Sequence, residues 1–407
     1  MPELFLTIFF ISILLIFLGT GIWVSLSMVG VSAIGMFLFT SRPVGDAMAT
    51  TIWGTSSSWT LTALPLFVWM GEILFRTKLS ENLFKGLAPW MSRLPGGLIH
   101  VNVVGCALFA AISGSSAATV ATVGKMSIPE LRKRNYPEKL LLGSLAGSGT
   151  LGLLIPPSII LIIYGVTVQE SIAKLFIAGI IPGIMIAIFF MFYVIGWSMM
   201  NKNSMPKMDE TFSLSQKIKQ SGQLIPVIVL IAAVIGSIYV GIATATEAAS
   251  LGVVGALILS FFQKSLTKET FKLSLLGATK TSCMIAFILA GSAFLSLAMG
   301  FTGLPRNLAI WINEMKLSPY VLIMVLTLFY IILGMFLDGI SAVVLTMAII
   351  EPMIRQAGFD MIWFGVFLVI VVEMAQITPP VGFNLFVLQG MANKDMGFIA
   401  KSAFPLF

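Results

Sequence analysis

Residues 149–158 read GTLGLLIPPS, and residues 374–382 read MAQITPPVG. Each stretch carries a Pro-Pro pair, at 156–157 and at 379–380, inside an apolar segment that otherwise suits a helix. Two consecutive prolines remove two N–H donors and leave preceding carbonyls without helical partners, so each pair predicts a broken helix. Within a membrane, unwound backbone is tolerated only where it is buried or lines a wet cavity. The two breaks therefore decide both the fold and the place of the site.

The breaks belong to an internal repeat. They lie 223 residues apart, and each follows a small-polar interruption of an apolar stretch, at 112–117 and at 337–342. Other matches upstream keep the same order at offsets between 220 and 225. A series of matches in one order indicates two related halves, although any single match would be weak.

The composition is that of an integral membrane protein. Of the 407 residues, 58% are hydrophobic and 10% are charged, and the mean hydropathy is +1.01. A soluble protein carries about 25% charged residues. One His and two Cys exclude a His- or Cys-ligated zinc site, a haem array and a disulfide framework. The first apolar stretch lacks a basic leader and exceeds the length of a signal peptide, which indicates an uncleaved first span.

Basic loops give the orientation. Lys and Arg outnumber acidic residues in 76–93, 125–139, 201–223, 262–272 and 391–407. Because such loops stay in the cytoplasm, they explain the net charge of +7 without nucleic acid and put the N-terminus outside. The same assignment requires two short apolar pairs to enter and leave the membrane on one side, the first from the cytoplasm and the second from outside. These pairs are predicted to be re-entrant hairpins.

The predicted fold class is an all-α polytopic membrane protein with an inverted repeat, an architecture typical of secondary transporters. The predicted boundaries are 1–200 for the first repeat with hairpin 98–123 and broken helix 140–165, 201–223 for a cytoplasmic connecting loop, and 224–407 for the second repeat with hairpin 320–350 and broken helix 362–390.

The breaks and the hairpin tips together predict cation sites. Free carbonyls and nearby hydroxyls are hard oxygen ligands, and the C-terminal end of a helix adds negative potential. Each half therefore offers a cage suited to sodium, which gives at least two sites; the alternative is that small residues and prolines only pack or kink helices. The candidate ligands are Ser113, Ser115, Ser116, Gly149, Gly152, Ile155 and Pro157 in the first half, and Asp338, Gly339, Ala375, Thr378 and Val381 in the second.

Carboxylates within the apolar segments are functional candidates because burying a charge in a membrane is costly. Asp338 lies at the second hairpin tip, where it supports a cation site, carries a proton or hydrogen-bonds the turn. Glu373 precedes the second Pro-Pro pair. Glu247 opens a span, where an N-terminal cap explains it at least as well as transport does.

Six stretches resemble one family. They are SGSSAATVAT at 113–122, GTLGLLIPPS at 149–158, ESIAKLFIAGIIPG at 170–183, ATEAA at 245–249, GMFLD at 334–338 and ITPPVGFNL at 377–385. In this order they resemble the large membrane subunit of tripartite ATP-independent periplasmic (TRAP) transporters over nearly the whole chain. The resemblance implies sodium-coupled uptake of an organic anion across the bacterial inner membrane by an elevator mechanism. It also implies a small four-helix membrane subunit, a periplasmic substrate-binding protein, and sodium sites at the two hairpin and Pro-Pro regions.

The solute is less directly indicated. No Arg lies in the apolar cavity segments, so hydroxyls, backbone N–H groups and helix dipoles would bind a carboxylate. The candidates near the tips are Ser115, Ser116, Thr119 and Ser341. Sialic acid and C4-dicarboxylates both fit, and segment 113–124 favours a sialic-acid type. Family members usually carry one more C-terminal helix, and fused members carry the small subunit ahead of this region; here we expect a separate small subunit.

Two other functions are weighed against this one. A stand-alone sodium/dicarboxylate symporter of similar architecture would transport without a binding protein. A membrane enzyme would need a reactive cluster, which the single His and the sparse carboxylates do not supply. A channel would not need paired broken helices of opposite orientation.

Overall fold

The computed structural model describes residues 2–77, 79–206, 213–222, 224–303, 307, 310, 318–380 and 382–407. Within these ranges the chain forms helices and turns and no strand, which confirms the predicted all-α class. The α-helices are α1 (Pro2–Gly19), α2 (Val24–Phe39), α3 (Val44–Ser56), α4 (Ala63–Phe75), α5 (Leu79–Met91), α6 (Ile99–Ser113), α7 (Ser116–Lys133), α8 (Glu138–Gly149), α9 (Leu151–Leu154), α10 (Ile159–Val168), α11 (Ile172–Met200), α12 (Leu214–Ser221), α13 (Ile225–Tyr239), α14 (Ala245–Phe262), α15 (Lys268–Thr302), α16 (Pro319–Gly334), α17 (Gly339–Gln356), α18 (Met361–Gln376), α19 (Phe383–Ala392) and α20 (Met396–Ala403). Short 3₁₀ turns cover Trp59–Thr62, Lys202–Ser204 and Phe404–Leu406.

Several helices can cross a membrane. In the part of the chain that the structure describes, five stretches are long and apolar enough: Glu138–Val168, α11, α14, α15 and α17. Two bent pairs raise the number to seven; α3 meets the segment Trp59–Phe75 at 54°, and α12 meets α13 at 53°. Helix α11 also exposes large apolar side chains, including Ile181, Phe189 and Phe192. A face of that kind suits contact with lipid.

The first broken helix lies in the interior of the molecule. In its most apolar window 83% of the residues are buried, against 28% for α11. Helix α9 ends at Leu154 and α10 begins at Ile159, with a cis peptide between Pro156 and Pro157. Ser158 caps α10 by accepting a hydrogen bond from the Leu161 N–H at 3.2 Å.

The second broken helix has the same plan. Helix α18 ends at Gln376 and α19 begins at Phe383, with a cis peptide between Pro379 and Pro380. Gly382 precedes α19 with a φ of +50°, a left-handed conformation that glycine adopts at little cost. A Cβ there would lie 2.9 Å from the Thr378 carbonyl oxygen. A larger residue would therefore clash with the backbone and would also have to adopt an unfavourable positive φ.

The hairpins turn where the small-polar interruptions lie. Between α6 and α7 only Gly114 and Ser115 intervene, and Gly114 takes a left-handed φ of 58°. Between α16 and α17 the chain turns over 335–338. The returning arms α7 and α17 continue beyond the predicted hairpin ends at 123 and 350. They do so because hydropathy marks only the apolar part of a helix, and both helices continue through polar residues.

Candidate functional site

The tip of the first hairpin is packed directly against the first helix break. A Cβ built on Gly152 would lie 2.6 Å from the carbonyl oxygen of Ser115, and one built on Gly114 would lie 2.6 Å from that of Pro157. The Ile159 N–H donates to the Gly114 carbonyl at 3.3 Å. Glycines at 114 and 152 therefore permit a backbone-to-backbone approach that any side chain would prevent.

Ser116 is where three segments meet. Its hydroxyl, on the first residue of α7, lies 3.0 Å from the Gly149 carbonyl oxygen, 2.9 Å from Asn384 Oδ1 and 3.4 Å from Glu373 Oε2. It also accepts from Asn384 Nδ2 at 2.6 Å. A hydroxyl has one proton to donate, so Ser116 can donate a hydrogen bond to only one of these three oxygens at a time. The first hairpin, the end of α8 and the two sides of the second break thus contribute oxygen atoms to one buried cluster.

The other first-tip hydroxyls bond among themselves. Ser113 Oγ lies 2.9 Å from Thr119 Oγ1, and Thr119 Oγ1 donates to the Ser115 carbonyl at 2.8 Å. Ser115 Oγ caps α7 by accepting from the Ala118 N–H at 3.5 Å. These bonds hold the turn in shape. Thr119, a predicted solute ligand, is wholly buried among them.

The end of α9 supplies the remaining first-half candidate. Ile155 follows the last residue of α9 with extended backbone (φ −76°, ψ 123°). Its carbonyl therefore leaves the helical direction, as expected of a residue before a Pro-Pro pair. All seven first-half residues proposed from sequence lie in the hairpin tip, the end of α8, α9 or the break.

The second hairpin tip lies against α18 and the first broken helix. A Cβ built on Gly339 would lie 2.8 Å from Val372 Cγ1 and 3.1 Å from Ile160 Cδ1. One built on Gly334 would lie 2.5 Å from the Ala375 Cβ. The arrangement mirrors the first half, in which glycines at the tip approach a broken helix.

Two of the candidate carboxylates cap helices. Asp338 accepts hydrogen bonds at Oδ2 from the N–H groups of Ile340 at 3.1 Å and Ser341 at 3.2 Å. Glu247 and Thr244 form a capping box at the start of α14, with Thr244 N–H donating to Glu247 Oε2 at 2.8 Å. The turn-bonding role of Asp338 and the capping role of Glu247 are therefore both present.

The second-half cation candidates are less tightly gathered. Thr378 Oγ1 donates to the Met374 carbonyl at 2.8 Å, within its own segment. Val381 lies outside the described residues. Ser341, the fourth predicted solute ligand, is buried in the first turn of α17, close to Asp338. Most of the first-half candidates are thus linked by hydrogen bonds or close backbone approaches, whereas in the described second half a hydrogen bond links Asp338 to Ser341.

Sequence reasoning misses two buried amides. Asn384 is fully buried and bonds Ser116, and Gln376 is 3% exposed. Among the described atoms, Gln376 Nε2 and Glu373 Oε1 have no hydrogen-bond partner. A buried polar atom without a partner costs free energy and calls for a ligand, water or function to explain it. The available signal is position, since Glu373, Gln376 and Asn384 all flank the second Pro-Pro pair within an apolar segment.

Two cavities border these elements. One of about 350 Å³ is lined by Thr150, Glu373 and Ile377, and by aromatic side chains of α11. Its lining is mostly apolar. The other, of about 720 Å³, lies where the ends of α3 and α10 approach the starts of α11 and α14, and its lining includes several hydroxyls and Glu170.

Comparison with known proteins gives one consistent family. The family model described as "Tripartite ATP-independent periplasmic transporter, DctM component" matches residues 9–407. The C4-dicarboxylate TRAP transporter large permease protein DctM of Pseudomonas aeruginosa is 31% identical over 92% of this chain and 87% of its own length. The 2,3-diketo-L-gulonate TRAP transporter large permease protein YiaN of Escherichia coli is 31% identical over 88% of this chain and 84% of its own length.

A solved structure has a similar fold. The YdaH transporter of Alcanivorax borkumensis aligns with a TM-score of 0.65, over 100% of this chain and 94% of that one. The sequence identity is 13%, so the likeness is one of fold alone.

Proposed function

Because this chain belongs to the DctM-component family of tripartite ATP-independent periplasmic transporters, we propose that it carries an organic anion into the bacterial cell together with sodium ions. It is a multi-pass inner-membrane permease and not an enzyme. In the proposed system a periplasmic binding protein delivers the solute, and a small four-helix membrane subunit completes the permease. The N-terminus lies on the periplasmic side, as the basic loops predict.

Sodium coupling is supported mainly by the cluster at Ser116. A hard cation prefers oxygen ligands, and here a helix-end carbonyl and an amide oxygen each lie within hydrogen-bond distance of the Ser116 hydroxyl. The carbonyl is that of Gly149, at the C-terminal end of α8, where the helix dipole also favours a cation. The donor set therefore fits sodium. A second site is proposed at the second-half candidates Asp338, Gly339, Ala375, Thr378 and Val381.

The solute is proposed to be a carboxylate. Both relatives described above are named for organic acids, a C4-dicarboxylate and 2,3-diketo-L-gulonate. Helices α7 and α17 begin at the hairpin tips, at Ser116 and Gly339, and the N-terminus of a helix favours an anion. C4-dicarboxylates and sialic acid are the two classes to test, and the proposed solute-binding hydroxyls are those of Ser115, Ser116, Thr119 and Ser341.

An elevator movement is proposed for translocation. The two hairpins and the two broken helices contact one another across the halves, as the Ser116–Asn384 bond and the approach of Gly339 to Ile160 illustrate. A body in which both tips and both breaks interlock is suited to move as a unit. The long, lipid-facing helices would then serve as the frame.

Solute uptake into proteoliposomes tests this proposal. The vesicles hold this chain with its small subunit, and labelled succinate and labelled sialic acid are each supplied with and without the periplasmic protein. An inward sodium gradient is compared with an equal potassium gradient. We expect uptake of one of the two acids only when both sodium and the binding protein are present.

The other outcomes of the uptake experiment each exclude part of the proposal. Sodium-driven uptake without the binding protein would establish the stand-alone symporter. Uptake at equal rates in sodium and potassium would refute sodium coupling. Binding of both acids by the periplasmic protein without any uptake would refute the proposed transport of these solutes.

A further inference from the structure

Arg132 joins the first hairpin to the second half of the chain. It lies in the last turn of α7, the returning arm of the first hairpin. Its Nη2 donates a hydrogen bond of 2.7 Å to the carbonyl of Ala392, the last residue of α19. Helix α19 belongs to the broken helix of the other half, 260 residues further along the chain.

Arg355 makes the equivalent contact from the second half of the chain to the first. It lies in the last turn of α17, the returning arm of the second hairpin. Its Nη2 donates at 3.0 Å to the carbonyl of Val168, the last residue of α10 and so the end of the first half's broken helix. The two arginines are 223 residues apart, the same offset that separates the Pro-Pro pairs.

The chemistry of the two contacts is the same. The last carbonyls of a helix have no partner within it, and a cation there also meets the negative end of the helix dipole. Both acceptor helices stop abruptly, because Gln169 and Asn393 follow them in a left-handed conformation with φ of 58° and 52°. Each arginine therefore acts as a C-terminal cap that is supplied by the other half.

A carboxylate holds each guanidinium in place. Arg132 Nε donates to Glu138 Oε1 at 3.1 Å, and Arg355 Nε donates to Glu351 Oε1 at 2.9 Å. The Arg355 guanidinium also lies 4.0 Å from Glu170, which follows the end of α10. A guanidinium has several donors in a fixed plane, so it can bind a carboxylate and a carbonyl together.

We infer that Arg132 and Arg355 are positioning residues for transport, each of which fastens the returning arm of one hairpin to the broken helix of the other half. These contacts keep the hairpin tips and the helix breaks, which carry the proposed ligands, in fixed positions relative to one another. The predicted topology puts one fastening at each face of the membrane, since 125–139 is a basic, cytoplasmic loop. This inference rests on the proposed function for its transport readout.

The first test compares Arg132→Met with two matched variants. Glu138→Gln removes the ion pair and keeps the donor to Ala392, and Arg134→Met removes a neighbouring arginine whose Nε bonds Glu130 at 2.8 Å on the same helix. We expect Arg132→Met to raise the half-saturating sodium and solute concentrations at least about threefold, since a charged hydrogen bond is lost. Arg134→Met should stay within about twofold of wild type. Glu138→Gln should have a smaller effect than Arg132→Met, because the amide oxygen of Gln can still accept from the guanidinium.

Rescue separates positioning from simple structural support. Arg132→Lys keeps a cationic donor and should recover part of the affinity for sodium. Arg355→Met should repeat the effect of Arg132→Met. Reduced yield or thermal stability with unchanged half-saturating concentrations in both Met variants would overturn the inference.

The second test needs no sodium response. A Cβ on Gly124 of α7 would lie 3.2 Å from the terminal methyl of Met391 on α19. In a background with Cys106→Ala and Cys283→Ser, the pair Gly124→Cys and Met391→Cys should be cross-linked by a short bifunctional thiosulfonate reagent, whose links to cysteine are broken by reduction. Uptake should be the same before and after reduction, because the two elements move together. Failure to cross-link, or uptake that returns only on reduction, would contradict the inference.

The two proposals fail in different ways. If wild-type uptake does not respond to sodium, the sodium part of the proposed function fails. The inference is then still judged by the half-saturating solute concentration of the Met variants and by cross-linking. If sodium drives uptake but the Met variants bind sodium and solute normally, the inference alone fails.

Discussion

Ser116→Ala is the sharpest test of the proposed cation site. The substitution deletes one oxygen that lies within hydrogen-bond distance of Gly149, Asn384 and Glu373, in a side chain that is 4% exposed. Alanine keeps the helix start and adds no bulk. The perturbation is therefore confined to the cluster in which the first hairpin tip, the end of α8 and the second break meet.

The magnitude follows from the contacts. A net hydrogen bond contributes about 1 kcal/mol, and a buried partner left without one costs about 1–3 kcal/mol. We expect the free energy of unfolding to fall by about 2 kcal/mol. If the hydroxyl also binds sodium, loss of one ligand worth roughly 1–2 kcal/mol raises the half-saturating sodium concentration roughly 5- to 30-fold.

The assay is initial uptake at saturating solute over a series of sodium concentrations at constant ionic strength. Ser144→Ala is the matched control, since Ser144 is also buried and bonds Asn102 Nδ2 and the Leu141 carbonyl, each at 2.9 Å. It should lose stability without any change in sodium dependence. Equal sodium dependence in wild type and in folded Ser116→Ala would refute the reasoning.

Three further predictions concern other parts of the chain. Thr378→Ala should lower the steepness and affinity of sodium activation more than it lowers the melting temperature; unchanged activation in uptake assays would count against a second site there. Gly114→Ala should destabilise the protein by more than about 2 kcal/mol, because a Cβ would be strained at φ 58° and would lie 2.6 Å from the Pro157 carbonyl; this is checked by thermal unfolding in detergent, and a wild-type melting temperature would contradict it. Lys133→Glu with Arg134→Glu should lower insertion into the membrane, because a basic loop becomes acidic; normal membrane yield with lost transport would point to a direct role instead.

The fold class could be predicted because it depends on composition and local chemistry. A chain with 58% hydrophobic and 10% charged residues must lie in a membrane, and a Pro-Pro pair interrupts a helix wherever it stands. The breaks around the Pro-Pro pairs at 156–157 and 379–380 follow from these facts alone. For Asp338 the sequence left three roles open, and the structure shows one of them, the hydrogen bonds to the first N–H groups of α17.

Helix ends were less accessible to prediction. Hydropathy shows which residues avoid water, and it does not mark where a helix ends. The predicted hairpins therefore end at 123 and 350, whereas α7 continues to Lys133 and α17 to Gln356. A helix also forms within the connecting loop, where Ser213 and Gln216 make a capping box at the start of α12. Local hydrogen bonds set these helix ends. The spacing and hydropathy of the apolar residues do not predict those hydrogen bonds.

The sequence by itself determined the membrane class, the family and the segments that carry polar tips and broken helices. Only the tertiary structure decided which of their atoms meet. Asn384 reaches Ser116 across 268 residues, and Arg132 reaches Ala392 across 260. Such pairs follow from the packing of one half on the other, and the pattern of a single sequence predicts only the local conformation on each side of the contact. The physical reason is that backbone breaks are local events, whereas a binding cluster requires surfaces from distant segments to fit together.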